Sequence, residues 1–290
     1  MILHPFEYHA PETLEEAVDL AEKYGEDSKF LAGGQSLIPL MKLGLFSSGH
    51  VIDLGRVRGL DHIRKEDGVL AIGGLAKMAD IEGSRLVEQA CPALTDCAVS
   101  IADPLVRNMG TIGGNVCHAD PANDVPAVAV ASGAEMVLVG RQGERRMKAQ
   151  QFFLDTFTTA AGRGEVLKEI RFDAERCRGS AYIKLQLQAT DFAIVGAAAR
   201  LWVHDGTVGE CGIGLTGVGP TVLHPKKAEG AVQGSRLGTD AFSRAAELAA
   251  AEARPVSDLR GTAEYKQEMA KVVTRRALEN ALKRAGGGRR

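Results

Sequence analysis

Three Gly-Gly pairs set the terms for this chain. Gly33-Gly34, Gly73-Gly74 and Gly113-Gly114 each stand where a short apolar run ends, at intervals of 40 residues. Without Cβ atoms the backbone can approach a neighbour closely and turn its N–H groups onto one centre. Tight turns that bring backbone close to a neighbour or a ligand are therefore expected at these pairs. The equal spacing is not a repeat, because the flanks diverge within a few residues. The 34 glycines come with only 10 prolines and no Gly-X-Y period, which excludes a collagen-like or low-complexity chain.

Thr13-Leu14-Glu15-Glu16 has capping-box spacing and opens an amphipathic helix. Its apolar stripe is Leu14, Ala17, Val18 and Ala21, and Gly25 is its C-cap. Lys29–Ala32 reads as a strand running into Gly33-Gly34, and His50–Leu54 as another. Gly68 turns a hairpin whose second arm, Val69–Ile72, runs into Gly73-Gly74. A helical stretch then leads to Ile101-Ala102-Asp103-Pro104 and a loop over Arg107–Asn115. Asp124–Ser132 reads as a short buried helix, Glu135–Val139 and Arg145–Lys148 as a hairpin around Gly143, and Glu165–Phe172 as a strand.

After Cys177 the texture changes to antiparallel strands over Ala181–Leu187, Phe192–Val203 and Val208–Gly214, with His204-Asp205-Gly206 as a turn. Helices over Asp240–Ala253 and Thr262–Ala285 close the chain, and a disordered tail is expected over Gly286–Arg290. The result is an α+β chain in three parts, with expected limits of 1–57, 58–177 and 178–290.

Lys+Arg 35 against Asp+Glu 37 leaves a net charge of −2, so no global field draws the chain to nucleic acid or membrane. The basic last helix reads as a solvated face or a partner surface. The N-terminus lacks the pattern of a signal peptide, and no apolar run is long enough for a transmembrane segment. Five cysteines without a C-x-x-C argue for reduced thiols and a cytoplasmic setting. They also argue against an iron–sulfur cluster or structural zinc held by local spacing. The seven histidines include neither H-x-x-x-H nor H-E-x-x-H, so no metal ligands are expected from local motifs. Redox chemistry here would require an organic cofactor.

Two segments read as phosphate cradles: Ala32-Gly33-Gly34-Gln35-Ser36-Leu37 and Thr111-Ile112-Gly113-Gly114-Asn115. In each, small residues bracket a glycine pair, and Ser36, Thr111 and Asn115 add side-chain donors. Neither has the G-K-[ST] of a P-loop, so a pyrophosphate held without cleavage fits better than a transferable triphosphate. The alternative is a pair of tight turns with glycine present for positive φ. Gly212-Ile213-Gly214-Leu215-Thr216-Gly217 matches G-x-G-x-x-G, but it lies in an antiparallel-looking strand with Pro220 and Pro225 following. It does not qualify as a dinucleotide fingerprint.

The first loop and its continuation Ile38-Pro39-Leu40-Met41-Lys42-Leu43, the segment Asn108–Val116, and Ala119-Asp120-Pro121-Ala122-Asn123-Asp124-Val125-Pro126-Ala127 resemble the FAD-binding medium subunits of molybdenum hydroxylases. The carbon monoxide dehydrogenase type is nearest. The likeness covers essentially the whole chain, including Gly261-Thr262-Ala263-Glu264-Tyr265-Lys266. It implies a PCMH-type, vanillyl-alcohol-oxidase-like FAD-binding fold of two small α/β subdomains, followed by a C-terminal domain of antiparallel sheet and helices.

The same resemblance implies that the FAD pyrophosphate lies between the two loops. Ile101 and Leu167 match apolar cofactor contacts, Asp124 an acidic cofactor partner, and Lys184 a basic residue beside it. Phe192 falls where the family places a side chain next to the isoalloxazine. Considered alone, Ile101, Leu167 and Phe192 read equally as core residues, Asp124 as a helix N-cap and Lys184 as a surface charge. Gln35 and its neighbours are not nucleophiles, so the FAD is expected to be non-covalent.

In this family a molybdenum cofactor in a large subunit oxidises the substrate, and electrons pass through the [2Fe-2S] clusters of a small subunit to FAD and an external acceptor. The resemblance thus implies both partner subunits and a heterohexamer of two heterotrimers. Competing readings are a stand-alone FAD-dependent oxidase or reductase of the same fold and a non-catalytic nucleotide-binding module.

Overall fold

The computed structural model describes residues 3–236 and 239–286. The first unit is a parallel sheet in the order β1-β3-β2, made of β1 (Glu7–His9), β2 (Ser28–Leu31) and β3 (His50–Asp53). Helix α1 (Leu14–Tyr24) connects β1 to β2 and buries Ala17, Val18 and Ala21. The expected capping box forms: the Glu16 amide donates to Thr13 Oγ1 over 3.2 Å, and the Thr13 amide donates to Glu16 Oε2 over 3.3 Å. Gly25 ends the helix at φ +53°. The Gly33-Gly34 turn separates β2 from the short α2 (Leu37–Lys42).

The second unit is an antiparallel sheet in the order β4-β5-β10-β6-β7. Its strands are β4 (Ile63–Glu66), β5 (Val69–Gly73), β6 (Glu135–Gly140), β7 (Gly143–Lys148) and β10 (Val166–Asp173), and a small hairpin of β8 (Phe153–Asp155) and β9 (Thr158–Thr159) lies between β7 and β10. Asp67 and Gly68, both at positive φ, make the tight turn between β4 and β5. Helices α3 (Met78–Gly83), α4 (Arg85–Ala90), α5 (Pro92–Ser100), α6 (Pro104–Arg107), α7 (Ile112–His118), α8 (Asp124–Ser132) and α9 (Ala149–Phe152) surround it.

Helix α8 is buried on every face, the pattern expected of a helix whose sequence, DVPAVAVAS, has no polar stripe.

The third unit is an antiparallel sheet of β11 (Ser180–Leu185), β12 (Val195–His204) and β13 (Thr207–Thr216), with α10 (Lys226–Val232), α11 (Thr239–Glu252) and α12 (Ala263–Ala285). The expected strand Phe192–Val203 starts later, at Val195, because residues 186–194 form the connection from β11. Helix α10, which follows Pro225, has no counterpart among the expected elements. Gly286 caps α12, and the rest of the expected tail lies outside the described residues. No helix of the described residues is long and apolar enough to cross a membrane.

The G-x-G of β13 has a packing role instead of a nucleotide role. A Cβ on Gly212 would lie 2.0 Å from the Ala131 carbonyl oxygen, and one on Gly214 would lie 2.2 Å from that of Ala127. Residues two apart on one strand face thus meet residues four apart on a helix. The two glycines let α8 lie directly on β13, which locks the third unit onto the second and fixes where Asp124 starts that helix.

Candidate FAD-binding site

The first loop leaves β2 at Ala32 and enters α2 at Leu37. Gly34 adopts φ +71°, which only glycine takes up without strain. Ser36 stands at the N-cap position but its hydroxyl makes no cap bond. The backbone N–H groups of residues 33–36 have no hydrogen-bond partner among the described residues. Four consecutive N–H groups at the mouth of this turn are thus free to donate to a bound group. Gln35 braces the turn through its side-chain amide, which donates to the Gly33 carbonyl over 3.3 Å.

The second segment departs from expectation. The loop expected over Arg107–Asn115 is broken by structure: α6 reaches Arg107, and α7 begins at Ile112 with Thr111 as its N-cap. Thr111 Oγ1 accepts from the Gly114 amide over 3.1 Å, so this oxygen acts here as an acceptor. The Ile112 amide donates to the Ala76 carbonyl, Gly113 to Gly74, and Asn115 to Thr111. These N–H groups are spent inside the fold, so this segment is no second nest. Asn115 contributes differently, since its Oδ1 is buried without a hydrogen-bond partner among the described residues.

The glycine pairs bring the segments together. A Cβ on Gly33 would fall 2.1 Å from the Met109 carbonyl oxygen and 2.8 Å from Gly110 Cα. One on Gly113 would fall 2.5 Å from the Gly74 oxygen, and one on Gly74 2.1 Å from the Leu167 oxygen. Backbone therefore stacks on backbone from β10 through Gly74 to α7, and the first loop leans on residues 109–110. Leu167, buried at the bulge in β10, belongs to this stack through its carbonyl.

Asp124 and Lys184 form a buried ion pair, with Lys184 Nζ donating to Asp124 Oδ2 over 3.0 Å and side-chain exposures of 4% and 6% for Lys184 and Asp124. Lys184 is thus not a surface charge, and Asp124 is not the helix N-cap: Asn123 holds that position and Asp124 is the first residue of α8. Tyr182 and Lys184 lie two apart on one face of β11, and the Tyr182 hydroxyl donates to the other carboxylate oxygen. Gly196 on β12 makes this possible, because a Cβ there would lie 2.2 Å from the Tyr182 hydroxyl. Burial pushes the Asp124 carboxyl above its ordinary pKa, with the Lys184 charge opposing; burial, then the Asp124 charge, pushes the Tyr182 phenol well up.

Lys184 also donates to the Ser100 carbonyl over 2.9 Å. Arg107, expected only as the start of a loop, donates to the next two carbonyls, Ile101 and Ala102, while pairing with Glu82 at 2.7 Å. Two cations thus hold three successive carbonyls and keep Ala102 at φ +42°. Ile101, at the edge of burial, is positioned by that clamp. Phe192 is different: it is 45% exposed on the connection from β11 to β12, and the Arg260 guanidinium carbon lies 5.7 Å from its ring centre.

A turn of free N–H groups, a glycine stack behind it, an orphaned buried acceptor and a buried charge pair are features that a bound dinucleotide can use. Residues 4–172 match the family model described as the FAD binding domain in molybdopterin dehydrogenase, and residues 180–281 match the CO dehydrogenase flavoprotein C-terminal domain. The chain belongs to this family of FAD-binding subunits.

It is 41% identical to the carbon monoxide dehydrogenase medium chain of Hydrogenophaga pseudoflava, over 98% of this chain and 99% of that one. It is 33% identical to the 6-hydroxypseudooxynicotine dehydrogenase complex subunit alpha of Paenarthrobacter nicotinovorans, over 97% and 95%. A solved carbon monoxide dehydrogenase from Hydrogenophaga pseudoflava, lacking the Mo-pyranopterin moiety of its molybdenum cofactor, superposes with a TM-score of 0.94 at 43% identity, covering 98% of this chain and 99% of that chain. The expected α+β FAD-binding architecture with its C-terminal sheet-and-helix unit is therefore the fold.

Proposed function

We propose that this chain carries non-covalent FAD as the electron-transfer subunit of a molybdenum hydroxylase of the carbon monoxide dehydrogenase type. The observation that carries the reading is the run of free N–H groups at residues 33–36, in a chain matched by an FAD-binding family model over 4–172. In this reading Ala32, Gly33, Gly34, Gln35, Ser36 and Leu37 hold the pyrophosphate through backbone amides. Thr111, Ile112, Gly113, Gly114 and Asn115 back that loop, with Asn115 Oδ1 accepting a hydrogen bond from the cofactor.

Ile101 and Leu167 supply apolar contact. Asp124 makes a polar one, positioned by Lys184 and Tyr182, and Phe192 lies beside the ring. FAD supplies the interconversion of one- and two-electron steps. The protein binds and orients it, and no proton need be held by a residue of this chain beyond the Tyr182–Asp124 hydrogen bond.

The molybdenum cofactor and [2Fe-2S] clusters belong in this reading to a large and a small partner subunit. The assembly is a heterohexamer of two heterotrimers in the cytoplasm, and the chain divides near residues 57 and 177. Carbon monoxide is the first substrate to test. The 6-hydroxypseudooxynicotine dehydrogenase complex among the relatives keeps the substrate open, since in this reading substrate contacts lie in the large subunit.

The test is co-expression with the neighbouring genes, purification, release of FAD by denaturation, and assay of iron and molybdenum. Stoichiometric FAD with co-purifying iron and molybdenum is expected. A colourless chain that takes up no FAD overturns the cofactor assignment, and flavin without partners favours a stand-alone enzyme.

A further inference from the structure

We propose that Glu7, His9 and His50, outside the flavin site, form a binding site for one divalent transition cation of the zinc class. None of the short metal motifs contains these residues; the parallel pairing of β1 and β3 assembles them. Glu7 lies directly opposite His50 in the register, and His9, two residues on, shares the face of Glu7.

Three donor atoms converge. His9 Nε2 and His50 Nδ1 are 3.1 Å apart, Glu7 Oε2 is 3.5 Å from His50 Nδ1, and it is 3.9 Å from His9 Nε2. The circle through these points has a radius of about 2 Å, the length of a zinc–nitrogen or zinc–oxygen bond, and a tetrahedral site with such bonds has edges of about 3.3 Å. Only the histidine–histidine edge is a hydrogen bond; the carboxylate stands just beyond bonding distance of both rings.

The rings are held in place before any ion arrives. Tyr24, at the end of α1, stacks on His50 with centroids 3.6 Å apart and an interplanar angle of 15°, and on His9 at 4.9 Å. Each histidine side chain is 18% exposed and Glu7 71%, so solvent reaches the cluster and water can complete the coordination. Two imidazoles and one carboxylate suit zinc and its neighbours better than calcium or magnesium, which favour all-oxygen sites. A bound ion would tie β1 to β3 at the edge of the first sheet.

The test uses the full chain in its purified complex, stripped with a chelator and titrated with zinc chloride by calorimetry. Cobalt(II) absorption serves as a geometry readout. One high-affinity zinc per chain and a tetrahedral cobalt spectrum are expected. His9→Ala and His50→Ala should each weaken binding roughly tenfold or more. Glu7→Gln, at an exposed position, should also weaken binding while leaving the metal-free melting temperature unchanged; it decides the matter if either alanine variant fails to fold. No stoichiometric zinc, or equal affinity in wild type and Glu7→Gln, overturns the proposal.

Discussion

Replacing Lys184 by methionine removes the counter-ion of Asp124 and leaves a buried carboxylate, its side chain 6% exposed, with only the Tyr182 hydroxyl still donating to it. Methionine keeps most of the volume, so the loss is chiefly electrostatic. Breaking a buried pair from one side costs about 3–5 kcal/mol. A ceiling follows from the proton that Asp124 can take up instead. Neutralising a carboxyl of unfolded pKa about 3.9 costs about 1.4 kcal/mol per pH unit above that value. The ceiling is thus about 5–6 kcal/mol at about pH 8 and about 2 kcal/mol at about pH 5.5.

The sign follows from the raised pKa of Asp124 in the folded state. Its folded form binds the proton more readily than the unfolded chain, so a falling pH favours the folded variant and the deficit shrinks. Urea unfolding followed by circular dichroism at the two pH values measures it. Adding Asp124→Asn to the variant should recover most of the loss and make the remainder independent of pH. A Lys184→Met deficit below about 1 kcal/mol, or one that is the same at both pH values, would refute the buried-pair reasoning.

Three further outcomes test the site. Gly33→Ala places a Cβ 2.1 Å from the Met109 oxygen, where only backbone can yield. FAD content should fall severalfold after gel filtration while the circular dichroism spectrum is kept; full occupancy would separate the first loop from the cofactor. Thr111→Ala removes the α7 cap and should cost about 0.5–2 kcal/mol in urea unfolding. Tyr182→Phe deletes a hydrogen bond to a buried carboxylate and should cost about 1.5–3 kcal/mol by the same measurement, with the deficit smaller in acid, where Asp124 no longer needs the donor.

What was legible in the sequence was local or carried by long motifs. The Thr13–Glu16 capping box sits within one turn and forms as its spacing requires. The β13 glycines could be rejected as a nucleotide motif from the neighbouring prolines and strand pattern, but their packing on Ala127 and Ala131 needed the helix in place. Asp124 and Lys184 were selected by family likeness alone, since an acid at a helix start and a lysine in a strand are ordinary on the surface. Their burial depends on α8 lying against the third sheet. Helix α7 is hidden because Gly113-Gly114 reads as a turn, whereas Gly113 admits the helix against Gly74.

The three Gly-Gly pairs therefore serve one construction without being a repeat. Gly34 supplies the turn, Gly33 lets that turn rest on Met109 and Gly110, and Gly74 and Gly113 let β10 and α7 stack backbone to backbone, while Gly73 meets the Leu60 carbonyl and Gly114 the Thr111 hydroxyl. An anion nest of free N–H groups has no side chain to hold its shape, so its geometry depends on what lies behind it. Here that support is itself backbone, and a side chain added at Gly74 or Gly113 would disturb the first loop through its contact with residues 109–110. Gly113→Ala should thus lower FAD retention even though the Gly113 amide is already bonded to Gly74 and is not free to contact the cofactor. Unchanged retention in a folded Gly113→Ala variant would break that chain of contacts as an explanation.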